Sequence, residues 1–228
     1  MASTVKTLLD NLKARVEGDL ETPEAKEAFI QVIVEHCPHN KTLLDWLKTQ
    51  LSQSDQDFFV RKSLCSIITE YWRDDQEVEG WFYHLFFSEV DYGTQALAVE
   101  AIASLGTHDP ESTCRFLEMI AFPTKPETEP WSLARVVALR ALVQIYRYRD
   151  PSTLNSIMEL VASEADENLR TLGIKEVLRC WHDTPALLPV IQDIANYSDS
   201  PLVASTAFLE SAYFQARMEF GQDHLINF

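Results

Sequence analysis

Apolar positions along this chain recur every three or four residues in short bursts, and the bursts themselves recur. The segments "KTLLDWLKTQL", "EVEGWFYHLF", "ESTCRFLEMIA", "STLNSIMELVA" and "ALLPVIQDIA" each place their apolar side chains on one face of a helix. Asn40, Asp75, Asp109, Asp150 and Asp183 stand before them, at spacings of 35, 34, 41 and 33. Asn and Asp at such positions predict N-caps, whose side chains accept hydrogen bonds from the free N–H groups of the first turn. Pro151 falls just inside its predicted helix, where a missing N–H costs nothing.

A second series runs between these segments. The frames "ETPEAKEAFIQVI", "DFFVRKSLCSII", "DYGTQALAVEAI", "WSLARVVALRAL", "DENLRTLGIKEV" and "SPLVASTAFLES" align at Ala25, Val60, Thr94, Ala134, Leu169 and Val203, with spacings of 35, 34, 40, 35 and 34. Apolar or small residues follow each anchor at helical offsets: Leu64, Ile67 and Ile68; Ala98, Ala101 and Ile102; Ala138, Ala141 and Leu142. Both series share one excess near residues 123–130, so "PTKPETEP", with Pro123, Pro126 and Pro130, reads as an extended loop inside a single repeat. The near-duplicate phrases "YWRDDQEVEGWFYHLF" at 71–86 and "CWHDTPALLPVIQDIA" at 180–195 are two copies of the same joint. The pattern predicts one all-α repeat domain over residues 1–228, built of helix pairs at about 5–36, 40–72, 76–106, 111–147, 152–181 and 186–218, with a C-terminal cap at 219–228. A single pair cannot bury its own apolar face, so stacking must make the core.

The frames "LLPVIQDIANYSDSPLVASTAFLESA", "LLDWLKTQLSQSDQDFFVRKSLCSII" and "LNSIMELVASEADENLRTLGIKEVL" resemble the HEAT repeat. The resemblance extends over nearly the whole chain. It implies an α-solenoid of about six stacked antiparallel helix pairs forming a right-handed superhelix, with first helices convex and second helices concave. Asp57 and Asp166 stand three residues before their anchors, and Arg61, Arg135 and Arg170 follow theirs. These positions are similar to the HEAT Asp/Arg ladder, whose members cap and cross-link neighbouring helices. Gln95 and Ala204 depart from its basic position, and Trp131 and Ser200 from its acidic one. The Trp/Leu-Gly/Tyr and Ala/Phe/Pro pattern of the tetratricopeptide does not align.

Composition adds limits rather than a function. Hydrophobic residues make up 46%, enough for a continuous core, and Gly is scarce at 6. The net charge of −16 repels phosphate backbones and anionic lipid and favours either solubility or a protein partner with a basic surface. Four dispersed cysteines without a C-x-x-C pair predict reduced, packed thiols. With no signal-peptide core and no run long enough to span a membrane, the sequence predicts a cytoplasmic protein that binds neither nucleic acid nor membrane.

Candidate contact residues come from the second helices at the offsets that point away from the predicted core. Val99, Val136, Leu139, Arg140, Val143, Ile174, Lys175, Leu178 and Phe208 form a strip along the predicted concave face. As a groove, this strip would hold a helix or an extended segment. Inner helices also bury both flanks against neighbouring repeats, which gives the same apolar excess a second reading as core. Trp72, Tyr146 and Trp181 close second helices and read as packing between repeats, with Trp46 and Trp81 on first helices. "EHCPHN" gathers His36, Cys37 and His39, but no second cluster completes a tetrahedral site, so no metal or cofactor is expected. The recurring His108-Asp109 and His182-Asp183 pairs follow from the recurring turn. No phosphate loop, nucleophile elbow or H-E-x-x-H motif is present. The expected function is therefore a protein–protein interaction module acting as adaptor, assembly factor or inhibitor rather than as an enzyme. The HEAT resemblance also keeps open an enzyme or chaperone of the bilin lyase type, acting on a chromophore and its acceptor protein.

Overall fold

In a computed structural model, the chain is described for residues 22–53, 57–88, 91–106, 109–123, 133–149, 154–164 and 166–220, together with residues 10, 11, 14 and 18. The described residues are helical throughout and contain no strand. The expected helix before residue 22, the cap at Asp150 with Pro151, most of the 123–130 loop and residues 221–228 lie outside them. No helix among the described residues is long and apolar enough to cross a membrane. The chain divides into two compact units, Met1–Thr113 and Cys114–Phe228.

The first unit contains α1 (Pro23–His36), α2 (Lys41–Leu51), α3 (Phe58–Tyr71), α4 (Gln76–Ser88) and α5 (Tyr92–Leu105). Each start has a local cause. Thr22 accepts from Ala25 N at 3.2 Å, Asn40 from Leu43 N at 3.0 Å, Asp57 from Phe59 N at 2.8 Å and Asp91 from Thr94 N at 2.7 Å. α3 packs on both α1 and α5, α2 packs on α3, and α4 packs on α5. The expected stripe residues Leu64, Ile67, Ile68, Ala98, Ala101 and Ile102 are all buried. α5 stops at Gly106, where a Cβ would come within 2.5 Å of Thr113 Cγ2, so only glycine lets the chain close on this buried threonine.

α6 (Pro110–Ala121) crosses the division between the units. Asp109 caps it by accepting from Ser112 N at 3.1 Å. The second unit continues with α7 (Leu133–Arg149), α8 (Leu154–Ser163), α9 (Glu167–Cys180), α10 (Leu187–Tyr197) and α11 (Pro201–Phe220). α9 packs on α7 and α11, α8 packs on α9 and α7, and α10 packs on α11. Ala138 and Leu142 are buried in this row, while Ala141 is half-buried. Gly173 in α9 brings α8 close. A Cβ there would lie 2.6 and 2.7 Å from the two methyls of Val161, which is itself 1% exposed.

One expected cap is absent. Asp183 does not cap α10, which begins only at Leu187, preceded by Ala186 with no side-chain cap. Thr184 N bonds Trp181 O at 3.0 Å and Leu187 N bonds Thr184 O at 3.1 Å, so an extra turn separates Asp183 from the helix. Its two carboxylate oxygens instead both accept from Arg147 Nη2, at 2.9 and 2.8 Å.

Candidate interaction surfaces

The arginines that follow the repeat anchors reach forward to the next turn. Arg61 in α3 donates to Asp91 Oδ2 at 2.9 Å and to Thr94 Oγ1, at the start of α5. The Thr94 hydroxyl, joined by the Thr94 N–H and Arg61, holds the Asp91 carboxyl below its usual range and outweighs partial desolvation. Arg135 in α7 donates to Glu164 Oε2 at 2.8 Å, and the other oxygen of Glu164 accepts from Asp166 N at 2.8 Å. Arg135 also donates from Nη2 and Nε to Ala121 O, at 3.0 and 3.3 Å, closing the last turn of α6. Arg170 in α9 donates to Asp199 Oδ1 at 3.0 Å, just before α11.

The basic members expected for the ladder therefore each join one helix to the turn before the next helix in its row. Of the acidic members, Asp57 and Asp166 act as caps, Asp166 accepting from Asn168 N and Leu169 N at 2.8 and 3.1 Å. The partners that receive the arginines are Asp91, Glu164 and Asp199. Asp91 stands three residues before Thr94, the same offset that Asp57 and Asp166 hold in their frames. Glu164 and Asp199 stand five and four residues before their anchors, so a fixed spacing passes over them. Ser200, at the expected acidic position, caps α11 through Val203 N at 3.3 Å. The Nε atoms of Arg61 and Arg170 are buried with no acceptor among the described residues.

The expected strip on the second helices divides sharply. Val99, Val136, Leu139, Val143, Ile174 and Leu178 are no more than 7% exposed and belong to the core. A second helix has neighbours on both flanks, so an offset away from its own partner helix still points into protein. Arg140, Lys175 and Phe208 remain on the surface, Phe208 at 65% exposed. Beside them, Arg140 Nε and Arg179 Nε converge on Glu176, at 2.9 and 2.8 Å. The carboxylate is buried while both guanidinium groups are about half exposed.

Trp72 and Trp181 are buried where they close α3 and α9, and Trp46 is buried in α2. His39 adopts a left-handed φ of 59° and sets its ring edge against Trp72 at 6.4 Å. Arg147 lies 5.9 Å from the Trp181 ring centre, and Lys48 covers Trp81 at 5.2 Å. These contacts account for much of "EHCPHN" and the His-Asp turn as structure; His108 lies outside the described residues. None of the four cysteines is in a disulfide, and Cys65 and Cys114 are buried. Burial, with Glu100 adding to it, pushes the Cys65 thiol up to about 12. Its Sγ donates to Leu97 O at 3.4 Å, as an unreactive packing group would. Among the described residues, no group of three or more His, Cys, Asp or Glu is placed to hold a metal ion.

Among the described residues, clefts open on the first helices of each unit. In the first unit, one of about 620 Å³ is walled by His39, Lys41, Lys48, Asp74, Asp75 and Glu77, with Lys41 paired to Glu77 at 3.4 Å. In the second unit, one of about 650 Å³ lies between α8 and α10, floored by Arg170 and Ile174 of α9 and Val203 of α11. Its walls are more apolar, with Met158, Ala162, Val190 and Ile194 facing it and Glu159 and Asp193 at its edges. Neither cleft was legible in the sequence, because each is a gap between helices about thirty residues apart in the chain. Comparison with protein-family models, curated proteins and solved structures finds no match to this chain.

Proposed function

We propose that this chain is a protein-binding helical-repeat module, an α-solenoid of antiparallel helix pairs similar to HEAT repeats. The arrangement within each unit supports the solenoid reading. One helix of each complete pair stacks in a row, α1–α3–α5 and α7–α9–α11, while the other packs on its own partner. The arginine-to-turn link recurs along these rows at Arg61, Arg135 and Arg170. The right-handed superhelix with a concave second-helix face is the form this repeat takes under the resemblance.

The observation that carries the binding role is the exposed set on the second-helix face of the second unit. Arg140, Lys175, Arg179 and Phe208 stand on helices whose other faces are fixed in a core. Arginine and aromatic side chains held rigidly at a surface are the types that dominate protein–protein binding energy. The partner is a protein whose patch facing this cationic and aromatic set is acidic, while the net charge of −16 favours a basic surface elsewhere on it. The module acts as an adaptor, assembly factor or inhibitor in the cytoplasm.

The test is affinity capture from source cells at low and moderate salt, with the wild type beside a Lys175→Glu/Phe208→Glu variant. The reading expects a stoichiometric protein retained by the wild type and lost or strongly weakened in the variant, with melting temperatures matched. Recovery of the chain alone at both salt concentrations would overturn it.

A further inference from the structure

The gap between α8 and α10 has the form and chemistry of a helix-binding groove. Asn155, Met158, Glu159 and Ala162 line it from α8, and Val190, Asp193, Ile194 and Tyr197 from α10. The first set spans i, i+3, i+4 and i+7, as does the second, so each helix offers one unbroken face about 10 Å long at ~1.5 Å per residue. The floor is apolar at Ile174 and Val203, and a cleft of about 650 Å³ has room for several side chains at once. The α10 wall is not covered by the chain's own core, since Val190 is 39% exposed and Tyr197 83%.

The charge around this groove selects its occupant. Glu159 and Asp193 are exposed on opposite walls and have no ion-pair partner among the described residues. Asp199 lies at one end, already paired with Arg170, whose guanidinium is thereby neutralised on the floor. An apolar trough flanked by two free carboxylates on a chain of net charge −16 complements a helix with an apolar face and Lys or Arg on either side of it. Tyr197 adds an exposed ring on which such a cation can rest. A nucleic acid or an acidic peptide would face like charge on both walls.

We infer that the α8–α10 groove binds an amphipathic helix of a basic protein partner, with the partner's apolar face seated on Ala162, Val190 and Ile194 and its cations opposite Glu159 and Asp193. This rests on the reading of the chain as a protein-binding module and adds a second surface to the one formed by Arg140, Lys175, Arg179 and Phe208.

The probe is a fluorescein-labelled peptide of repeated Leu-Lys-Lys-Leu-Leu-Lys-Leu, with a Leu/Glu counterpart as control, followed by fluorescence anisotropy. The wild type should bind the Lys peptide saturably, with affinity falling as salt rises, and should not bind the Glu peptide. Ala162→Lys/Val190→Lys, at two exposed positions, should weaken binding by about tenfold or more while leaving the melting temperature unchanged. Leu209→Lys, on the exposed face of α11, should leave binding as in the wild type. The inference is overturned by equal binding in the groove variant, by loss of binding in Leu209→Lys alone, or by no saturable binding at low salt. It is also overturned if sedimentation shows a wild-type dimer that Ala162→Lys/Val190→Lys dissociates, since the occupant would then be a second copy. Any of these results leaves the capture experiment unaffected, so the groove can fail while the protein-binding reading stands.

Discussion

Replacing Arg135 with Met should cost far more stability than the same replacement at Arg170, although the two occupy equivalent repeat positions. The difference lies in what each arginine leaves behind. Arg135 and Glu164 have side chains only 9% and 8% exposed, and the guanidinium also closes two bonds to the last carbonyl of α6. Met keeps most of the buried stem but strands the Glu164 carboxylate, whose remaining donor is the Asp166 N–H at 2.8 Å. Breaking one side of a buried pair costs about 3–5 kcal/mol. Arg170 is also mostly buried, but its partner Asp199 has a side chain 85% exposed, and water takes over once the arginine is gone. An exposed acceptor of that kind makes the Arg170 pair worth about 1 kcal/mol or less. Amide hydrogen exchange read on peptides from α7 and α9 reports the local opening free energy without requiring the whole chain to unfold in one step. An Arg135→Met/Glu164→Met double variant should recover much of the loss, because no buried charge then remains. Equal losses at Arg135 and Arg170, to within about half a kcal/mol, would refute the argument from burial.

Three further outcomes follow from named contacts. Gly173→Ala gains about 1 kcal/mol of helix propensity but drives a methyl into Val161, at an overpacking cost of about 1–3 kcal/mol; it should lower the denaturation midpoint in the wild type and raise it in a Val161→Ala background. Leu139→Glu, at 1% exposed, should unfold the second unit, while Phe208→Glu, at 65% exposed, should shift stability by no more than about half a kcal/mol in urea melts. The depressed Asp91 carboxyl contributes stability that is fully present above the unfolded-state value of about 3.9 and is lost as pH falls through its lower folded value. The gap between wild type and Asp91→Asn should therefore be constant near neutral pH and close under strongly acidic conditions.

The parts of the structure that were legible in the sequence are those set by local chemistry. Asn40, Asp57, Asp75, Asp109 and Asp166 cap the helices their positions predict, and Leu64, Ile102 and Leu142 are buried on the stripe that period 3.6 assigns them. Arg61, Arg135 and Arg170 were found because they occupy one helical offset. Their acceptors were not named: Asp91 keeps the three-residue offset, but turn length varies and moves Glu164 and Asp199 off any fixed register. The apolar members of the strip failed for another reason. A helical wheel reports which residues share a face, but Val136, Leu139 and Ile174 share theirs with a neighbouring helix of the row. Asp183 misled because Pro185 and the turn around Thr184 delay the helix, freeing the carboxylate for Arg147. The α8–α10 groove depends on the space between two helices, which no one-dimensional pattern records.

The most direct measurement is zero-length carbodiimide cross-linking of the chain in the complex captured from its source, with the products mapped by mass spectrometry and the complex mass read by light scattering. This chemistry joins a carboxylate only to an amine it already touches, so it reports basic partner residues seated on acidic ones. The account predicts a complex heavier than the 26.1 kDa chain, with partner lysines joined to Glu159 and Asp193. A chain recovered alone at 26.1 kDa, at both low and moderate salt, would contradict it.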